Sequence, residues 1–563
     1  FSVSVIQAQN RTLKGTVTDA QGEPIIGATV KEKGDVNGTA TDLDANFTLE
    51  VSPGAILEVS YIGYQPQEVK VGDRTTLAIT LIEDQQVLDE VVVVGYGTTS
   101  RKNLTTAIAT VKTEKISKAA NSSVASMLLG RAAGLQATVN STQPGGEINI
   151  SIRGGGNPIY VVDGVVMPNS SLEVGSGETG LPDGVKRAAL AGLNPSDIES
   201  IEVLKDASAA IYGIGAADGV ILITTKKGVE GKPRITYEGS YSVQKRYSYG
   251  MNRLNSQEYM NMVNLFGKEN YLFINEQYPY GNVGYDGKWT PVFTSEQIAN
   301  ATTTDWLSYV LKTGQVNNQN LTISGGSKTL RYYLGLNYYD EDGVVRNAGM
   351  QRYSLRTNIS AQLFSFLKLT TIANLNHKYS NSTVGGDTGN QGNSAAGSLY
   401  TAMNYAPYLA IYDNMGEYTI FGREPNPLAA LQIRDGSKQS SYYVNFALDI
   451  DIIKDMLSAK LLYGVNKENG KRSAYIPKDV YWGLVRKSRG SLGYNERQYE
   501  TMEGTLSFRH KFWNMIDVNA VAGMGRYLDK GTGMTVSYQN ANDMINDSNL
   551  AAADGPFSPT SYK

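Results

Sequence analysis

The chain is 563 residues long, with 51 Lys and Arg against 54 Asp and Glu, and its net charge of -3 gives no electrostatic footprint for nucleic acid. It has no cysteine and only two histidines, His377 and His510, which excludes disulfides and thiolate metal sites and poorly supplies a zinc centre or a serine–histidine triad. No run of ~20 apolar residues could cross a membrane as a helix, yet a mean hydropathy of -0.29 leaves a strand-built membrane protein open, because such strands turn only every second residue to lipid. Tyrosine (36) far outnumbers phenylalanine (12), and tyrosine suits surfaces with one apolar and one wet side.

Residues 1–9 are mildly apolar and rich in small side chains. They read as the remnant of a secretory signal with a cleavage point near Ala8, or as a frayed end. Over 11–82, short apolar runs such as Gly15-Thr16-Val17, Phe47-Thr48-Leu49 and Leu77-Ala78-Ile79 are broken by turn residues every ~8–12 positions, the pattern of a small β-sandwich. Asp42-Leu43-Asp44-Ala45-Asn46 imitates the opening of a calcium loop. Phe47 stands where that loop needs glycine and the distal bidentate Glu is missing, so a turn before a strand is expected.

The stretch Asp89-Glu90-Val91-Val92-Val93-Val94-Gly95-Tyr96-Gly97 lies in a linker, 83–100, with polar flanks. Four valines favour a strand. It reads either as an ordinary core strand or as an extended segment whose backbone edge is kept for a partner.

From 101 to 228 the texture is mixed α/β. Val124 to Leu129 predicts a short helix ended by Gly130. Strands are expected at Ile148–Ile152, Ile159–Val162, Ile201–Leu204 and Val220–Ile223, with a helical turn at Pro195-Ser196-Asp197. Tyr212-Gly213-Ile214-Gly215-Ala216-Ala217-Asp218-Gly219 imitates a phosphate loop. It fails because Asp218 fills the third glycine's place and would repel a phosphate.

Over 233–563 period-2 alternation dominates. Leu330, Tyr332, Leu334, Leu336 and Tyr338 alternate with Arg331, Gly335 and Asn337, and similar runs bring the count to about nine strands. Tight turns (Gly325 to Lys328, Ser365, Ile453 to Met456, Phe512 to Met515) alternate with longer connections (Tyr247 to Asn317, Asp340 to Gln351, Tyr379 to Ser440, Asn466 to Tyr499). Short turns on one rim and long loops on the other describe an antiparallel outer-membrane barrel, although a soluble all-β domain can also alternate. The last stretch, Asp529 to Lys563, reads as a long loop broken off before its return strand.

Taken in order, these segments resemble the SusC-like (RagA-like) TonB-dependent outer-membrane transporters of Bacteroidota. Asp89 to Tyr96 matches the family's energy-coupling Ton box. Ile152-Arg153-Gly154, Pro158 to Asp163-Gly164, Pro195 to Lys205-Asp206-Ala207-Ser208, Tyr212-Gly213 and Gly219 to Gly228 match plug motifs. Thr304-Asp305-Trp306, Leu321 to Gly326 and Tyr353-Ser354-Leu355-Arg356 match the early barrel. The resemblance implies a mainly β fold: a carboxypeptidase-regulatory-like β-sandwich, an α/β plug, and an antiparallel transmembrane β-barrel. About nine strands fall short of the roughly 22 of a large plugged barrel, so a fragment lacking more than half of the barrel is expected.

The same resemblance implies a transporter and not an enzyme, in the outer membrane of a Gram-negative cell, with neither cofactor nor metal. Its partners would be TonB, a SusD-like surface lipoprotein, outer-membrane lipid and a glycan or peptide cargo, oligosaccharide before oligopeptide; a non-transporting adhesin or sensor is the competing class. Many relatives place an arginine shortly after Tyr212, where this chain has Gly215. If that arginine locks the plug to the barrel wall, Arg153 is left as the obvious cation for the task. Tyr405, Tyr408, Tyr412, Tyr481 and Trp482 in the long loops could stack on sugar rings, sit in an interfacial girdle or pack the loops.

Overall fold

In a computed structural model the described residues are 11–562 apart from 20–21, 34–36, 43, 53, 62–63, 73, 83–90, 95–96, 101–107, 113–122, 168–171, 173, 175–189, 191, 206–208, 210–211, 213–215, 248–252, 383–396, 423, 481–487, 514–515 and 540–557. Residues 1–9, expected as a signal remnant, lie outside them. The chain divides into two compact units, Phe1–Thr106 and Ala107–Lys563.

In the first unit, β1 (Arg11–Thr18), β4 (Asn46–Val51) and β7 (Thr76–Thr80) form one sheet in the order β4-β1-β7. Strands β2 (Thr29–Glu32), β3 (Gly38–Ala40), β5 (Ile56–Ser60) and β6 (Gln67–Lys70) form another, ordered β3-β2-β5-β6. Strict alternation drives the packing. In β4, Phe47, Leu49 and Val51 are buried between exposed neighbours, and they share one core with Leu13, Val17, Val30, Leu57, Val59 and Ile79. The calcium-like stretch is a turn, as expected. The Asp42 carboxylate accepts backbone N–H bonds from Asp44 (3.0 Å) and Asn46 (2.8 Å) and so satisfies the loop before β4. Beyond the sandwich, β8 (Val91–Val94) and β9 (Gly97–Ser100) pair as an antiparallel hairpin.

The second unit begins with a mixed five-stranded sheet made of β10 (Ile108–Lys112), β13 (Ile159–Val162), β14 (Val165–Met167), β15 (Ile198–Leu204) and β16 (Val220–Thr225), in the order β10-β15-β16-β13-β14. A separate hairpin joins β11 (Leu135–Val139) and β12 (Ile148–Ile152). Met127, Leu128, Ile201, Val203, Ile221 and Ile223 lie in their common core. The helix expected at Val124–Leu129 is a single 3-10 turn, Ala125–Leu128. So short a segment cannot repay helix nucleation, and Gly130 at φ +67° ends it.

A ten-stranded antiparallel sheet follows in strict chain order: β17 (Gly231–Gln244), β18 (Gly314–Gly326), β19 (Leu330–Asp342), β20 (Gly349–Phe364), β21 (Leu367–Asn381), β22 (Arg434–Ile453), β23 (Leu457–Ile476), β24 (Arg489–Phe512), β25 (Ile516–Gln539) and β26 (Ser558–Tyr562). All nine expected strands are present, and three expectations at their ends are corrected. The connection between β19 and β20 shrinks to 343–348, and that between β23 and β24 to 477–488. Beyond the lipid level an outward residue has no reason to be apolar, so the alternation fades while the ladder continues; β23 and β24 there face outward with Lys467 and Glu496, an ion pair at 2.7 Å. The C-terminal stretch is not a loop without a return: β25 runs on to Gln539 and β26 pairs with Gly533–Ser537.

The connection 245–313 holds a 19-residue helix, Ser256–Ile274, that the strand pattern misses. Its signal is a capping box, Asn255 with Glu258. Among the described residues no helix is long and apolar enough to cross a membrane, which leaves crossing by strands untouched.

Candidate functional site: the plug lock and the coupling strand

The outward face of the ten-stranded sheet is apolar across its middle. In register, Leu321, Leu336, Leu355 and Leu375 form a row flanked by Tyr237 and Tyr442. The inward face is mostly polar, with one apolar patch where Ile372, Tyr443 and Leu462 pack on Val165, and the five-stranded domain lies against it.

The tightest contact is an ion pair. Asp163 and Gly164 connect β13 to β14 as a two-residue turn with φ +49° and +89°, the left-handed pair that an Asp-Gly turn supplies. This turn presents the Asp163 carboxylate to Thr225, which donates from its backbone N–H (3.1 Å) and its hydroxyl (2.7 Å). Arg356, inward on β20, donates from Nη2 to the same carboxylate at 2.7 Å, with both side chains withdrawn from solvent. It also donates to the Thr225 hydroxyl.

Neighbouring contacts extend this lock. Tyr333 on β19 donates to Asp197 at 2.7 Å. Burial pushes the Asp197 carboxyl above its ordinary range, against the downward pull of Arg356, the Tyr333 hydroxyl, Lys226 and Asn194. On β22, Tyr443 donates to the Val162 carbonyl (3.0 Å) and Asn445 to that of Asp163 (3.1 Å). Asn376 on β21 reaches the Gly192 carbonyl at 2.9 Å, and Asn194 donates to Asn320 at 3.0 Å. Close approach depends on missing side chains in the sheet. A Cβ at Gly464 would lie 2.7 Å from Val165, and one at Gly335 would lie 2.7 Å from the Asp197 carboxylate.

Among the described residues the plug and the sheet are joined by an ion pair of the opposite polarity to the expected one. The cation comes from the barrel sheet as Arg356 and the acid from the plug as Asp163. Arg153, offered above as the remaining cation, turns the chain after β12 with φ +53°, and its backbone N–H donates to Gly134 within the plug at 2.8 Å. The other motif residues are architectural where described. Gly154 has φ +78°; Lys205 is buried and donates to the Ala133 carbonyl; Gly219 has φ +95°, where a Cβ would lie 2.7 Å from Ile152. Tyr212 donates its backbone N–H to the Ala209 carbonyl at 3.0 Å. Asp206, Gly213 and Gly215 lie outside the described residues. Asp218, which ruled out a phosphate loop, accepts the Gly156 N–H at 2.8 Å and closes the glycine run after Arg153.

Of the segment expected to couple to TonB, Val91–Val94 form β8, while Asp89, Glu90, Gly95 and Tyr96 lie outside the described residues. The loop aromatics separate into two groups. Tyr405 is buried, edge-on to Trp306 at 4.8 Å, and burial pushes its phenol up to about 12; Tyr408 packs on Phe293 at 5.0 Å. Trp306 donates to the Ala406 carbonyl at 3.0 Å, so the Thr304-Asp305-Trp306 motif pins one long connection to the next. Tyr412 is half exposed and lies 5.0 Å from Tyr418. Tyr481 and Trp482 lie outside the described residues.

A small globular domain seated by polar contacts and an apolar patch against the inner face of an antiparallel sheet whose outer face is apolar defines a plugged outer-membrane barrel. Comparison with known proteins agrees. Residues 100–220 match the TonB-dependent Receptor Plug Domain, and residues 13–93 match the CarboxypepD_reg-like domain. The chain is 31% identical over 517 residues to TonB-dependent receptor P3 of Formosa agariphila, covering 90% of this chain and 47% of that protein. It is 32% identical over 480 residues to TonB-dependent receptor SusC of Bacteroides thetaiotaomicron, covering 79% and 43%. In fold it is similar to the RagAB peptide importer in its open-open state, with a TM-score of 0.62 at 22% identity, over 84% of this chain and 53% of that one. The chain belongs to the SusC-like TonB-dependent receptors, outer-membrane β-barrel proteins, and spans about half the length of the curated relatives it matches.

Proposed function

We propose that this chain serves TonB-dependent import of a nutrient oligomer across the outer membrane, working with a SusD-like surface lipoprotein. The observation that carries the reading is the buried but polar attachment of the plug, centred on Arg356 and Asp163. A plug meant to stay would be packed mainly with apolar side chains. Here the apolar patch of Val165 with Ile372, Tyr443 and Leu462 is joined by a larger set of polar contacts. One meant to move needs contacts that water can replace, each with a net value of about 0.5–1.5 kcal/mol for a neutral hydrogen bond.

Asp89 to Tyr96 is the coupling segment, to which TonB adds as a strand; backbone hydrogen bonds supply the grip. Pulling there, driven by the inner-membrane proton gradient, shifts part of the plug and opens a path. No bond in the cargo is made or broken. An oligosaccharide is the first cargo, with the half-exposed Tyr412–Tyr418 pair as a stacking platform on an outer loop, and an oligopeptide is the alternative.

Deleting Asp89 to Tyr96 should abolish uptake of a labelled cargo while leaving its binding at the cell surface. Normal uptake by the deletion strain would sink the assignment. Glycan and peptide pools offered separately to whole cells decide between the two cargo classes.

A further inference from the structure

The coupling strand does not stand alone. Val91 pairs with Ser100, Val92 with Thr99, Val93 with Thr98 and Val94 with Gly97, and only two residues connect the strands. In a hairpin with a two-residue connection the closing residues form a hydrogen-bonded pair, and hydrogen-bonded and non-hydrogen-bonded pairs then alternate. The N–H and C=O groups of Val94 and Val92 are thereby directed to β9. Those of Val93 and Val91 point the other way, along the opposite edge of β8.

The geometry points to β9 as a resident strand that occupies one edge of the coupling segment and fixes which edge its partner uses. This rests on the reading of Val91–Val94 as the TonB-binding strand. TonB then adds to the edge offered by Val91 and Val93, and β8 becomes the central strand of a three-stranded ribbon. Gly97–Ser100 stays in place while force is applied. A segment already extended needs less ordering on binding than a free chain does. It also presents a single edge, which sets the register of the added strand.

The test uses the absence of native cysteines. Val93 and Thr98 form a non-hydrogen-bonded pair, for which antiparallel ladders place Cα atoms ~4.5 Å apart, within disulfide range. The double variant V93C/T98C of the full chain is oxidised to lock β9 onto β8, and its affinity for the purified periplasmic domain of TonB is compared with that of the reduced form. Equal affinity, within about twofold, is expected. Loss of binding on oxidation, restored by reduction, would show that TonB displaces β9 and would overturn the proposal while leaving the coupling assignment intact.

Proline variants separate the edges independently, because proline removes an N–H and obstructs that side of the strand. V93P is expected to weaken binding at least tenfold, and V92P by less than about threefold. Equal loss in both variants overturns the edge assignment alone. Unchanged binding in both removes the coupling reading, and the proposal falls with it.

Discussion

Replacing Arg356 by methionine tests whether the ion pair holds the plug. Arg356 and Asp163 are 0% and 4% exposed and meet at 2.7 Å. Removing the guanidinium leaves a buried carboxylate with, among the described residues, the Thr225 donors, a loss of about 3–5 kcal/mol for a broken buried pair. The intact pair is itself partly offset, since Nε and Nη1 of Arg356 have no hydrogen-bond partner among the described residues and each buried unmet donor costs about 1–3 kcal/mol. Removing both charges in R356M/D163N should therefore cost much less than removing one, about 1 kcal/mol, so the second substitution should recover about 2–4 kcal/mol of the single loss. Carried wholly by the docking equilibrium, the single loss raises the undocked population roughly a hundred- to several-thousand-fold, at about 1.4 kcal/mol per factor of ten. Entry of a large hydrophilic antibiotic into producing cells, and protease cleavage of the plug in isolated outer membranes, report that population. R356M should leak and R356M/D163N should largely reseal. A tight R356M, or a double variant as leaky as the single, refutes the reasoning.

Three further predictions concern the same surfaces. Because the Asp197 carboxyl sits above its ordinary value, the folded chain binds that proton more tightly than the unfolded one. Its stabilising contribution is complete below ~3.9 and is lost as pH rises through the folded-state value. D197N should flatten the fall of melting temperature with pH over that window, and an unchanged slope would exclude Asp197 as its source. G464A and G335A should each cost about 1–3 kcal/mol by forcing a methyl group against Val165 or Asp197, read as a lowered melting temperature and faster plug proteolysis; wild-type behaviour in both would mean that the plug does not seat as closely as described. Y405A should expose protease sites in 382–433 through a core loss of about 3–5 kcal/mol, whereas Y412A should leave the fold intact and lower cargo retention severalfold, by about 0.5–1.5 kcal/mol; the reverse pattern would exchange their roles.

The two classes of strand were not equally legible in the amino-acid order. Sandwich strands such as Asn46–Val51 bury every second residue from end to end, so alternation alone marks them. Barrel strands announce themselves only across the lipid band. Leu457–Val465 alternates clearly, yet β23 continues to Ile476 through Lys467, Asn469 and Lys471, whose outward side chains meet water and obey no apolar rule. The lock was hidden for a related reason. Arg356 and Asp197 both stand in motifs recognised from sequence, but on an inward face a residue that meets water and one that meets a plug are equally polar. Period 2 assigns the face and not the neighbour. Only the folded pairing joins Arg356 to Asp163, 193 positions away. The helix Ser256–Ile274 was missed because its buried positions are few, leaving the Asn255–Glu258 capping box as the surviving mark.

Under the proposed function, these contacts also bear on how a pulled strand could move a folded plug. Tyr443 to Val162, Asn445 to Asp163 and Gln439 to Leu172, all from β22, together with Asn376 to Gly192 from β21 and Asn194 to Asn320 on β18, are neutral hydrogen bonds. Each has a net value of about 0.5–1.5 kcal/mol and is replaced by water when it opens, so they can yield one after another instead of together. The Arg356–Asp163 pair differs, because two dry charges cannot part without a larger penalty until water reaches them. The plug's own core, from Met127 to Ile223, is apolar and loses far more if it is exposed. On the proposed function, force applied through a strand therefore meets resistances of different size: the neutral bonds, the apolar patch around Val165, the ion pair and, costliest to expose, the plug's own core. Loss of Arg356 removes the ion-pair contribution. The expected outcome is a plug that leaves the sheet more readily while its own core stays folded, read as antibiotic entry without loss of the plug's protease-resistant core.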